Sequence, residues 1–306
     1  MSSTSNSVRL IVFLAAGLIS FAFAPIIVRL AGDVNPVALA VWRTTFAVIF
    51  IGPFYLFRRE QESIDAPLPK RTIFYMSMLS GAMLGLHFIL WISSLRYTSV
   101  ASASVLVTIH PIILIVAEQL IFKVRFNKIV WFGVFLSFIG SISLGISDSH
   151  QSTQQFPDAI LGDILAFLAA AVFAIYFLIS RKIRQHSTWL GYVAPIYFWA
   201  MLTCIILGFN LPGKLVFTET QTWVMVILMA LGPQIIGHGS MNYAVKYVSP
   251  TILSTTILVE PALATIFGAL LFNEIPTVLA FSVMTLIIAG VFVTWYGNSK
   301  GLKAKS

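Results

Sequence analysis

The sequence predicts an all-α membrane protein of ten transmembrane helices arranged as two inverted five-helix repeats. Three observations lead there. Of 306 residues, 58% are apolar and only 10% charged, with a mean hydropathy of +0.92, whereas a soluble domain carries about 25% charged residues. Apolar runs of spanning length recur at near-regular intervals from end to end, leaving no room for a separate soluble domain. The second half of the chain also echoes the first.

Runs of about 20 mostly apolar residues, bounded by charges, Pro, Gly or polar clusters, predict helices over 10–30, 36–57, 72–94, 99–122, 129–147, 160–180, 191–210, 222–244, 249–271 and 276–296. The first run follows Arg9 and ends near Ala22-Phe23-Ala24, which resembles a cleaved secretory leader. Pro25 would follow the cut, however, and the apolar run continues to Leu30, so it is read as the first helix. Most connections are short, so neighbouring helices run antiparallel. Cys204 is the only cysteine and lies inside an apolar run, which excludes a disulfide framework or a thiolate metal cluster.

Orientation follows from the Lys and Arg residues, which cluster between apolar runs and read as topology signals rather than as a nucleic-acid face. With the amino terminus inside, the inner segments hold Arg9, Arg58, Arg59, Lys70, Arg71, Lys123, Arg125, Lys128, Arg181, Lys182, Arg184, Lys246, Lys300, Lys303 and Lys305. The outer segments hold only Arg29, Arg96 and Lys214. Fifteen against three places both termini in the cytoplasm of a multi-pass inner-membrane protein. The tail over 297–306 is expected to be a short solvated end.

The duplication is visible residue by residue. Phe13-Leu14-Ala15-Ala16 recurs as Phe167-Leu168-Ala169-Ala170, and Leu95 to Ile115 lies ungapped over Val245 to Thr265. Arg96 then falls on Lys246, Tyr97 on Tyr247, Ser99 on Ser249, Pro111 on Pro261 and, further on, Gly140 on Gly290. The repeats are expected at 9–147 and 160–296. Five spans is an odd number, so the second repeat enters the membrane inverted. Inverted halves are the device by which a carrier opens to either side of a site near the midplane.

These residues resemble the EamA-type permeases of the drug/metabolite transporter superfamily over nearly the whole chain. The resemblance rests on the five-plus-five arrangement, Trp42-Arg43 in the second helix, and the small-residue-rich stretches leading to Pro111 and Pro261. The family pattern places an acidic residue about a dozen positions after each of these prolines. Glu274 fits it, whereas Val124 breaks it in the first half. The resemblance implies helices one to four and six to nine around a central cavity, five and ten packed outside, and transport of metabolites, often export of amino acids or related compounds.

Ionisable and polar side chains inside a membrane are costly, which makes each a functional candidate. Arg43 lies about two turns below the outer end of its helix. It suits a carboxylate or phosphate on a substrate, or else a structural role holding backbone carbonyls at a helix break. Glu260 precedes Pro261 and His110 precedes Pro111, where a missing backbone donor predicts a bend. There, a titratable group either takes up an amine or a proton or simply ties helices together. His87 with Trp91 one turn later, and the stripe Gln234, His238 and Asn242, either line a pathway or hydrogen-bond between helices, the latter contributing about 0.6 kcal/mol on average. Tyr176 and Trp199, with Trp91 and Tyr197, are candidate stacking groups. Glu118, about one turn from the inner end near Lys123 and Arg125, reads as a surface ion pair, and Arg29 and Asp33 as outer-interface residues.

The substrate-binding set drawn from these is Arg43, Glu260, His87, Trp91, His110, Gln234, Tyr176 and Trp199. No H-E-x-x-H, P-loop or G-x-S-x-G occurs and the five His are dispersed, so no enzyme activity, cofactor or metal is expected. The expected partners are a small-molecule substrate, membrane lipids, protons as a candidate coupling ion and a second copy as a candidate homodimer, with no nucleic acid. An uncoupled facilitator or channel stands as the alternative, and a lipid-modifying membrane enzyme behind it.

Overall fold

A computed structural model describes residues 3–57, 68–98, 103, 106–149, 157–211, 213–272 and 278–303. Among these the chain is helical, with no strand. The helices are α1 (Ser3–Ala22), α2 (Ala24–Leu30), α3 (Pro36–Phe57), α4 (Lys70–Tyr97), α5 (His110–Ile121), α6 (Lys128–Ser149), α7 (Ala159–Arg184) and α8 (Trp189–Asn210). There follow α9 (Thr220–Met229), a π-helical stretch Ala230–His238, α10 (Gly239–Ala244), α11 (Pro250–Ile257), α12 (Glu260–Phe272) and α13 (Val278–Lys303).

Eight helical segments are long and apolar enough to cross a membrane, and His110–Ile121 and Lys128–Ser143 are shorter apolar helices. These two fall within the predicted fourth and fifth spans. The start of the fourth span, including Ser99 and Ser104, lies outside the described residues, as do Arg58, Arg59 and Glu274. Large apolar side chains such as Phe57 and Phe209 are more than three-quarters exposed, a surface suited to hydrocarbon rather than water. Arg29 and Asp33 are exposed.

The described chain forms two compact units, one of residues 1–93 and 175–247, the other of residues 94–174 and 248–306. In the first, α4 approaches α8 through glycines. A Cβ on Gly81 would lie 2.5 Å from the Ile196 carbonyl oxygen, and one on Gly85 2.7 Å from that of Ala200. Small residues let helix backbones meet where no hydrophobic drive separates protein from lipid. Arg184, counted above among the inner-loop charges, is fully buried here. Its guanidinium donates to the backbone oxygens of Asn242 and Ser187, so it closes a helix end rather than facing solvent.

In the second unit, α6 and α13 pack along Gly133, Gly140, Gly290 and Gly297. Asn127 Nδ2 donates to the Gly297 carbonyl at 2.7 Å. α13 continues past this contact to Lys303. At the duplicated prolines, where a bend was expected, the helix is interrupted by a turn instead. α5 starts at His110 and α12 at Glu260, so Pro111 and Pro261 both sit in a first turn, where the missing N–H costs nothing.

Candidate functional site

A buried polar group in the first unit is centred on Arg43, which is 1% exposed. Arg43 directly follows Trp42 in α3, whose indole is anchored to the Leu215 carbonyl at 2.6 Å, and its Nη2 donates to Gln234 Oε1 at 2.9 Å. The guanidinium carbon stands 3.9 Å above the centre of the Phe88 ring, a contact worth 2 kcal/mol or about that when desolvated. Among the described residues, Arg43 has no carboxylate partner. The described acids of this unit, Asp33 and Glu219, are both exposed.

Gln234 is fully buried and sits in the π-helical stretch. Pro233 supplies no amide hydrogen there, and a local widening of the helix is a frequent mark of functional segments. The stretch is pinned from α8 by Tyr197, whose hydroxyl donates to the Gln234 carbonyl at 2.6 Å. It also carries His238, whose ring lies 4.9 Å from Phe21 and 5.1 Å from Phe88. His87 lies 6.4 Å from His238 and Tyr176 6.1 Å from it, between ring centres. The result is one cation, one amide and a wall of rings.

Of the eight predicted site residues, Arg43, Gln234, His87 and Tyr176 come together in this group. Tyr176 is fully buried and donates to Asn242 Oδ1 at 2.8 Å. Trp91 is half-buried one turn along α4 from His87. Trp199 belongs elsewhere in the unit, half-buried and edge-on to Phe74 at 5.6 Å. His110 and Glu260 belong to the second unit. His110 is buried beside Phe173, ring centres 4.8 Å apart. Glu260 is half-buried at the start of α12 and makes no hydrogen bond or ion pair among the described residues.

Glu118 departs from its expected surface position. It is fully buried and accepts from the backbone N–H of Thr251 at 2.8 Å, capping the first turn of α11. The N-terminus of α11 supplies partial positive charge to the carboxylate. Phe88 carried no signal of its own, being one of 25 Phe. Its place in the sequence directly after His87 was the only pointer.

Comparison with known proteins agrees with the helical pattern. The profile of the EamA-like transporter family matches residues 8–146 and, a second time, residues 160–296. The chain is 24% identical over 207 residues to the uncharacterized transporter YdfC of Bacillus subtilis, covering 67% of this chain and 65% of that relative. It is 23% identical over 273 residues to an uncharacterized transporter of Archaeoglobus fulgidus, covering 87% and 92%. It is 22% identical over 265 residues to the uncharacterized inner membrane transporter YhbE of Escherichia coli, covering 86% and 81%. A solved crystal structure superposes with a TM-score of 0.76 at 15% identity over 95% of this chain and 96% of that one, which shows a shared fold.

Proposed function

Because the chain belongs to the EamA-like transporter family, we propose that it is a secondary transporter exporting a small metabolite, an amino acid or related compound, across the cytoplasmic membrane by alternating access. In this reading it spans the membrane ten times as inverted repeats over 9–147 and 160–296, with both termini cytoplasmic. The observation that carries it is the pair of helix starts at His110 and Glu260, at matched positions of the duplicated segment. Interrupted helices in corresponding places of two inverted halves are the recurring construction of alternating-access carriers, and the freed backbone there serves solute or ion. Glu260, unpaired among the described residues, is the group that takes up a coupling proton.

Metabolite profiling of cells with and without the gene nominates solutes, and counterflow in proteoliposomes tests them. Saturable uptake driven by unlabelled solute inside is the expected result. Flux that neither saturates nor shows counterflow would replace the carrier with a facilitator. Turnover of lipid by the detergent-solubilised protein would replace it with an enzyme.

A further inference from the structure

We propose that Arg43 and Gln234 form the receptor for a single carboxylate group of the transported solute. The assignment rests on the transporter reading only for the ligand being a solute in transit; the receptor itself is argued from the local chemistry.

Two donors on these side chains, Nε of Arg43 and Nε2 of Gln234, are buried and unpartnered among the described residues. Buried donors left unmade carry the full cost of their desolvation, and more when charged, so such groups call for an explanation. The Arg43 to Gln234 hydrogen bond fixes the amide's orientation. A flipped amide would set N–H against N–H, so Oε1 must face the guanidinium and Nε2 must face away from it. Everything left over is a donor. A ligand that completes the set must therefore accept, and the two oxygens of a carboxylate can accept from both.

Charge decides between anions. Arg43 is a buried cation with no carboxylate partner among the described residues, and a buried charge is tolerated when paired. One guanidinium neutralises one negative charge. A phosphate dianion would leave an uncompensated charge in the same place, whereas a monocarboxylate leaves none. The rings of Phe88, Phe21, His238 and His87 suit a solute whose body is apolar or aromatic rather than a free inorganic ion. The π-helical placement of Gln234 is independent of the donor count and marks the same spot.

The test is thermal unfolding of the purified full-length protein in detergent. The probes are aliphatic and aromatic monocarboxylates, from hexanoate to phenylacetate, each paired with its carboxamide, together with inorganic phosphate and chloride. At least one carboxylate should raise the unfolding midpoint while its carboxamide does not. Arg43→Gln should weaken that response by at least about tenfold, the loss of a charge-assisted hydrogen bond. Gln234→Glu keeps the shape and sets a carboxylate against the guanidinium, so it should unfold at or above the wild-type midpoint without ligand and yet ignore the probe.

Failure of every carboxylate to separate from its carboxamide, equal protection by phosphate or chloride, or an undiminished response in Gln234→Glu each overturns the receptor. A carboxylate that binds but shows no counterflow leaves the receptor standing and removes the transporter reading. Counterflow of a solute lacking a carboxylate does the reverse.

Discussion

The carboxylate of Glu118 in α5 accepts a hydrogen bond from the backbone N–H of Thr251 in the first turn of α11, at 2.8 Å and fully out of solvent. The two residues are 133 positions apart, one in each half of the duplication. Both the unsatisfied amide and the helix dipole favour the negative charge. Glu118→Ala should therefore destabilise the protein by about 1–3 kcal/mol, the range for a charged buried hydrogen bond, while Glu118→Gln, which keeps an acceptor, should lose less. Thermal unfolding in detergent orders the two variants, and an alanine no worse than the glutamine would remove the cap from the account.

The α6 to α13 contact depends on the absence of side chains. A Cβ on Gly290 would lie 2.5 Å from the Ser137 amide nitrogen, and backbone cannot step aside as a flexible side chain can. Gly290→Ala should cost about 1–3 kcal/mol as overpacking. Gly52→Ala, with nothing within 4 Å of the new methyl, should be neutral or stabilising by up to about 1 kcal/mol, the helical gain from replacing glycine. The difference between their unfolding midpoints is the measurement.

Tyr197→Phe deletes the hydroxyl that holds the Gln234 carbonyl. A net loss of about 0.5–1.5 kcal/mol in stability is expected. Because that carbonyl belongs to the residue facing Arg43, solute affinity should fall together with stability. A variant that loses stability alone would show the hydroxyl to be a fastener and nothing more.

Glu260→Gln keeps the size and hydrogen-bonding reach of the side chain but cannot gain or lose a proton. In proteoliposomes it should retain solute counterflow, which needs no net driving force, and lose the response of uptake to an imposed pH gradient. A variant as sensitive to the gradient as wild type would free Glu260 from coupling.

Much of this architecture could be read before any coordinates, because the bilayer penalises polar groups so heavily that the few tolerated ones stand out. Arg43, Gln234 and His87 were each visible for that reason and Tyr176 as a ring able to stack, while the prolines after His110 and Glu260 announced a bend where the helix in fact breaks. Pairing was not visible. The Arg43 to Gln234 bond joins residues 191 positions apart, and hydropathy reports the depth of a residue without naming what stands opposite it. The π-helical turn was hidden as well, since Gln234, His238 and Asn242 fit an ordinary helical stripe. Glu118 was misplaced because distance from the end of a run was taken as distance from water, when its partner was the amide end of another helix.

The matched family segments, 8–146 and 160–296, are each a single continuous stretch, but neither compact unit is. Each unit takes residues from both, and the boundary falls inside α4, after Ser93 in its last turns, and inside α7, after Ala174. A gene cut between the repeats would therefore encode two polypeptides of which neither contains a finished unit. Each fragment made alone should be a substrate for quality-control proteolysis, and co-expression should rescue both together, so loss of one half in the cell is followed by loss of the other.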